Sequence, residues 1–143
     1  MEQKPFEHET TFFVRYADTD AMGLVHHSAY LLWFEEARSS WLRERLGSPR
    51  GYALIEEAGY FFAITEVWAR YVAPARFGDR VTVRTWCTAF RSRGFTMEYA
   101  VHNADTHALL VEGRTRIVVL NRAGRPTPLP QPWADALRRC CME

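Results

Sequence analysis

The stretch Asp18-Thr19-Asp20-Ala21-Met22-Gly23-Leu24-Val25-His26-His27-Ser28 gathers two carboxylates and two imidazoles within eleven residues. It lies just before the longest helical pattern in the chain. A helix start offers unpaired N–H groups and a positive dipole end. Such a site can hold a carbonyl oxygen and stabilise the negative charge that develops on it. A carboxylate within reach can then attack the carbonyl or activate a water. The same residues also make an Asx-turn followed by a helix cap, a purely structural arrangement. From spacing alone both readings stand.

Rival chemistries fit less well. Asp18-x-Asp20 begins like a calcium loop, but Met22 stands where a third oxygen ligand is wanted and Ala29 where a bidentate Glu belongs. His26 and His27 are adjacent, not at the four-residue spacing that aims two ligands at one metal. Ser48 in Gly47-Ser48-Pro49-Arg50-Gly51 follows a helix, and Leu46 takes the place of a nucleophile elbow's first glycine. There is no Walker loop and no Gly-x-Gly-x-x-Gly, so no metal and no cofactor is expected. Arg91 and Arg93, with Arg80 and Arg84 nearby, form either a solvated rim or a clamp for phosphates.

The elements that must position these groups are legible. Thr10 to Tyr16 reads as a first strand by its Thr, Phe, Val and Tyr content. Ser28, a candidate N-cap, opens a helix to Leu46, with Tyr30, Trp33, Phe34, Ala37, Trp41 and Leu42 at three- and four-residue steps. Its first two turns are apolar almost all round, which predicts deep burial. Gly47-Ser48-Pro49 stops it. A short helix is expected over 53–58. Strands follow over 61–72, 80–89, 95–102 and 109–120, separated by turn-forming residues. Pro126, Pro128, Pro130 and Pro132 forbid helix or central strand there, and 133–141 forms a terminal helix. Short turns make antiparallel neighbours. The fold class is therefore α+β: one long helix packed on an antiparallel sheet, in one domain with a core of about 10–130 and a tail at 131–143.

The 143 residues are 48% hydrophobic, 24% charged and 14% aromatic, with a net charge of +1. That balance excludes a general nucleic-acid binder, which needs a basic surface, and disorder. The longest apolar run, Ala29 to Phe34, is too short to span a membrane. No apolar h-region opens the chain, so no signal peptide is expected. Three cysteines, two of them adjacent, make no disulfide framework. A cytoplasmic protein is the expectation.

Arg15-Tyr16-x-Asp18-Thr19-Asp20-x-x-Gly23-x-Val25-x-His27-x-x-Tyr30-x-x-x-Phe34-Glu35-x-Ala37-Arg38 closely resembles the opening motif of the 4-hydroxybenzoyl-CoA thioesterase family, nearest to its Tol–Pal-associated acyl-CoA thioesterases. Tyr71-Val72-x-Pro74-Ala75-Arg76-Phe77-Gly78-Asp79 resembles that family's turn between strands 2 and 3. The resemblance implies the hotdog fold, a five-stranded antiparallel sheet wrapped around one long central helix. It implies a homodimer with sheets joined edge to edge, or a homotetramer, with the active site between protomers. Asp20 falls on the catalytic carboxylate, nucleophile or general base. The N–H of His27 falls on the carbonyl-polarising donor, and Gly23 on the glycine that lets the loop approach the thioester. Arg91 and Arg93 fall on a turn that binds coenzyme A phosphates in some relatives. Tyr30, Phe34, Phe61 and Phe62 are candidates for the acyl pocket. The chain departs from the family at His26, often Tyr, and at Met22, often Gly, which narrows the acyl entrance. The expected partner is an acyl-CoA, or an acyl carrier protein bearing the same thioester. A hotdog hydratase or dehydratase, and a non-catalytic acyl-CoA binding module, are the alternatives.

Overall fold

A computed structural model describes residues 7–141. Strand β1 (His8–Phe13) leads through a single 3-10 turn (Tyr16–Asp18) and a loop into helix α1 (Ala29–Arg45). Helix α2 (Tyr52–Glu57) follows, then strands β2 (Phe61–Tyr71), β3 (Arg80–Arg91), β4 (Gly94–Asn103) and β5 (Leu109–Leu120), and helix α3 (Gln131–Arg138). The five strands form one sheet in the order β1-β3-β4-β5-β2, every pair antiparallel. The chain must cross from one edge of the sheet to the other between β1 and β2. Helix α1 lies in that connection and packs against the sheet face.

The helix is held by its aromatic face. Tyr30, Trp33, Phe34, Trp41 and Leu42 are all 2% exposed or less. Burying each such side chain is worth about 1.5–3 kcal/mol relative to leaving it in water. They meet the inward residues of the sheet, among them Val81, Val83, Met97, Tyr99, Val101 and Ile117. Phe34 stacks on Tyr99, with ring centroids 4.4 Å apart and planes 12° apart. A Cβ on Gly113 would collide with the Phe34 ring, so β5 carries glycine where the helix presses closest.

The structure departs from the expected boundaries for identifiable reasons. Strand β1 ends at Phe13 because Asp18 pulls the backbone N–H of Arg15 out of any ladder, at 3.1 Å. Deep burial of the first two turns of α1 holds on one side only: Leu31 is 38% and Leu32 55% exposed. Ser28 precedes the helix without a capping side-chain hydrogen bond. The expected exclusion of helix at Pro132 is also corrected. Pro132 lies in the first turn of α3, where its missing N–H would have had no helical partner anyway. Among the described residues no helix is long and apolar enough to cross a membrane.

Candidate active site

The loop before α1 is built on Asp18, not Asp20. Asp18 is 3% exposed. Its carboxylate accepts from the Arg15 side chain at 3.0 and 3.2 Å, from the Arg15 backbone at 3.1 Å and from Trp33 Nε1 at 3.2 Å. Burial pushes its pKa up, but these hydrogen bonds outweigh it, and the carboxyl titrates below its ordinary value. The Asp18 carbonyl then accepts from the His26 N–H at 2.8 Å, closing the loop at its base.

Asp20 sits at the exposed tip. Its backbone N–H donates to the Leu24 carbonyl at 2.7 Å, and its Oδ1 accepts from the N–H groups of Met22 (2.8 Å) and Leu24 (3.1 Å). These are the Asx-turn bonds of the structural reading. They occupy one carboxylate oxygen only; Oδ2 accepts no hydrogen bond among the described residues. The turn bonds thus leave the other oxygen open to a ligand. Gly23 turns this loop at φ +77°, a left-handed conformation that disfavours other residues. Nothing lies within 4 Å of where its Cβ would be, so conformation rather than crowding demands glycine here.

A second loop clamps the first. The Val25 N–H donates to the Ala75 carbonyl and the Phe77 N–H to the Gly23 carbonyl, at 3.0 and 3.1 Å. The hydroxyl of Tyr30 accepts from the Ala75 N–H at 3.2 Å, and burial raises its pKa, so the phenol stays neutral. Between the loops and the end of β2 lies an open cleft of about 350 Å³, lined by Asp20, His26, His27, Tyr30, Tyr71 and the segment 72–74. The backbone N–H of His27 makes no hydrogen bond among the described residues. A residue with an unbonded carboxylate oxygen, a residue with an unbonded N–H and a helix start therefore border one cleft, residue types able to act on a carbonyl. No group of three or more His, Cys, Asp and Glu residues able to hold a metal occurs among the described residues.

The other residues expected from the sequence lie elsewhere. Phe34 is 0% exposed and packed between Tyr99 and Gly113, in the core rather than the cleft. Phe61 and Phe62 open β2, whereas Tyr71, which lines the cleft, ends it. Nine or ten strand residues separate them, about 30 Å. Phe62 meets Tyr52 and Phe95 ring to ring. Arg91 and Arg93 flank the β3–β4 turn and line a separate recess of about 360 Å³ with Arg116 and Pro126. That turn is at the Phe61 end of the sheet, since Gly94 pairs with Val118 and Phe61 with Leu120. One group (Asp20, Gly23, His27, Tyr30) thus lies at one end of the protomer, and another (Phe61, Phe62, Arg91, Arg93) at the opposite end. Tyr71 was visible within a motif but without a role; its contact with His27 depends on a crossing that spacing does not reveal.

Comparison with known proteins bears on what such a cleft does. Residues 14–137 match the thioesterase-like superfamily. The chain belongs to that superfamily. It is 30% identical over 122 residues to the 1,4-dihydroxy-2-naphthoyl-CoA hydrolase of Synechocystis, covering 85% of this chain and 87% of that protein. It is 32% identical over 119 residues to the acyl-CoA thioester hydrolase YbgC of Escherichia coli, covering 82% and 86% respectively. The crystal structure of a 1,4-dihydroxy-2-naphthoyl-CoA thioesterase from Synechocystis superposes with a TM-score of 0.82 at 27% identity, over 92% of this chain and 96% of the other. The five-stranded antiparallel sheet around α1 is the hotdog arrangement that the opening motif implied.

Proposed function

We propose that this thioesterase-superfamily protein hydrolyses acyl-CoA thioesters, with Asp20 and the start of α1 as its chemical centre. One observation carries the reading: Asp20, whose Oδ2 accepts no bond among the described residues, and His27, whose N–H donates none, line the same cleft. The thioester carbonyl accepts from the His27 N–H, which stabilises the oxyanion as it forms. Asp20 either attacks the carbonyl carbon or takes a proton from the water that does. If Asp20 attacks, coenzyme A leaves as thiolate and a mixed anhydride remains, which water then hydrolyses; if Asp20 acts as base, water adds, the C–S bond breaks and Asp20 passes its proton to the sulfur. Either route consumes one water and releases coenzyme A thiol and a carboxylic acid. The hydrolysis of CoA thioesters for which those relatives are named supports the substrate class. An acyl carrier protein is a second possible bearer of the same thioester.

The working unit in this reading is a cytoplasmic homodimer, or a homotetramer of such dimers. Strand β2 is the last strand of the sheet, with Ile64, Val67, Trp68 and Tyr71 all exposed by 41–48%. A bare apolar edge strand is a template for pairing. Two copies joined antiparallel along β2 bring the Phe61 and Arg91–Arg93 end of one against the Asp20 end of the other. The separation of about 30 Å within a protomer then becomes proximity across the dimer. The aromatic residues and arginines complete the pocket in trans.

Incubation of the purified protein with a panel of aliphatic and aryl CoA thioesters, with released thiol followed colorimetrically, tests this. Turnover of at least one ester is expected. Tight acyl-CoA binding with no thiol release across the panel would point to a binding module. Hydration of an enoyl ester without thiol release would point to a hydratase.

A further inference from the structure

Two contacts from β2 converge on His27. The Tyr71 hydroxyl donates to the His27 carbonyl at 2.9 Å, and the Tyr71 ring lies 4.8 Å from the His27 imidazole. The helix itself does not hold that carbonyl. The first bonds at the start of α1 run from the Ala29 N–H to the His26 carbonyl and from the Leu31 N–H to the Ser28 carbonyl. The first of them holds the His26–His27 peptide, which carries the His27 N–H; neither holds the His27–Ser28 peptide. Without Tyr71, the carbonyl of His27 would have no protein partner among the described residues, and the His27–Ser28 peptide, next to the one that carries the His27 N–H, would be free to rock.

Tyr71 is itself fixed by the sheet. It pairs with Val111 of β5, and the next two residues, Val72 and Ala73, both donate to the Leu110 carbonyl, at 2.8 and 3.1 Å. Its ring also meets Tyr30 edge-on at 5.5 Å. The hydroxyl thus transmits the position of β5 to the first peptides of α1, across the cleft that holds Asp20.

We infer that Tyr71 is a positioning residue for the hydrolysis: its hydrogen bond to the His27 carbonyl pins the His27–Ser28 peptide, so that His27 is held on both sides and its N–H keeps its aim at the thioester oxygen. The inference rests on the reading of the site given above. It extends that reading to a side chain outside the loop-and-helix motif. A donor misplaced by a fraction of an ångström stabilises the oxyanion less while substrate still binds, so the loss should fall on kcat.

Tyr71→Phe tests this, because it keeps the ring contacts with His27 and Tyr30 and removes only the hydroxyl. The side chain is 43% exposed, so the melting temperature should barely move. The expected result is a fall in kcat of about tenfold, less than the loss of an entire oxyanion donor, with KM within about twofold. Binding supplies a second readout. A dethia CoA analogue that keeps a ketone should bind Tyr71→Phe more weakly than wild type, while a thioether analogue without the carbonyl should bind both equally. An unchanged kcat with wild-type turnover intact would overturn the inference alone. Loss of kcat together with a lowered melting temperature, or equal weakening of both analogues, would mark Tyr71 as merely structural and overturn it too. No thiol release by the wild-type protein would overturn the hydrolytic reading and this inference with it.

Discussion

Replacing Asp20 by Asn separates the charge of the site from its shape. The Asn Oδ1 can accept the same bonds from the Met22 and Leu24 N–H groups, at 2.8 and 3.1 Å in the native loop. The new amide falls where Oδ2 stood, and no group among the described residues donates there. The two bonds become neutral rather than charge-assisted, but they are exposed to water, so the stability cost should be about 0.5–1 kcal/mol. The chemical cost is larger. An amide neither attacks a thioester nor accepts a proton from water, and kcat should fall by about 10²- to 10⁴-fold. At 1.36 kcal/mol per tenfold, that is about 3–5 kcal/mol of lost transition-state stabilisation. Asp20→Ala removes both loop bonds as well and should cost about 1–3 kcal/mol of stability on top of the same catalytic loss. Thiol release and thermal melts on the three proteins separate the two effects. Wild-type kcat in Asp20→Asn would refute the assignment. So would an Asn variant as destabilised as the Ala variant, with activity tracking the folded fraction.

Asp18→Asn sets NH₂ donors against the Arg15 and Trp33 donors and should cost about 2–3 kcal/mol near neutral pH, read by urea melts. Because the folded carboxyl titrates below the ordinary 3.8, its stabilisation is present above that pH and lost as pH falls through the folded value. The variant should therefore show a flatter acid limb than wild type. Gly113→Ala drives a methyl into the Phe34 ring and should cost about 1–3 kcal/mol, seen as a lower melting temperature. Arg91→Ala with Arg93→Ala should raise KM for CoA esters without lowering the melting temperature, as both side chains are exposed. Assayed well below the raised KM, where each parent is nearly silent, co-refolding that double variant with Asp20→Asn in equal amounts should restore about a quarter of wild-type activity, because half of the dimers are mixed and each regains one of its two sites. No recovery would argue against a site shared between copies.

Much of the scaffold could be read from the chain. The bounds of β5 coincide with the expected 109–120, and α1 is shorter than expected by one residue at each end, because alternation and three-four spacing leave strong local marks. The loop was legible as well, down to the turn bonds that Asp20 accepts. What could not be read depends on distant partners. Leu31 and Leu32 look like core residues until the sheet is seen to cover only one side of the helix. Phe34 looks like pocket lining until Tyr99 and Gly113 close around it. Phe62 and Arg93 share an end of the molecule only through strand register, and Tyr71 meets His27 only because β2 returns beside the helix start.

The Phe34 ring seated over Gly113 works as an indexing pin. Phe34 stacks on Tyr99, and the Tyr99 hydroxyl shares hydrogen bonds with Arg38 at 3.0 Å and Thr115 at 2.7 Å. Helix, fourth strand and fifth strand are thereby locked against sliding or rolling past one another. His27 lies two residues before the rod begins, and the rod's first residue, Ala29, is about 8 Å from Phe34 along the axis. Any redesign that trims Phe34 to enlarge the interior would unseat the rod, and the far end would drift with it. Substrate scope is better engineered at the rim, around Met22 or the 72–74 segment, where changes leave the pin in its socket.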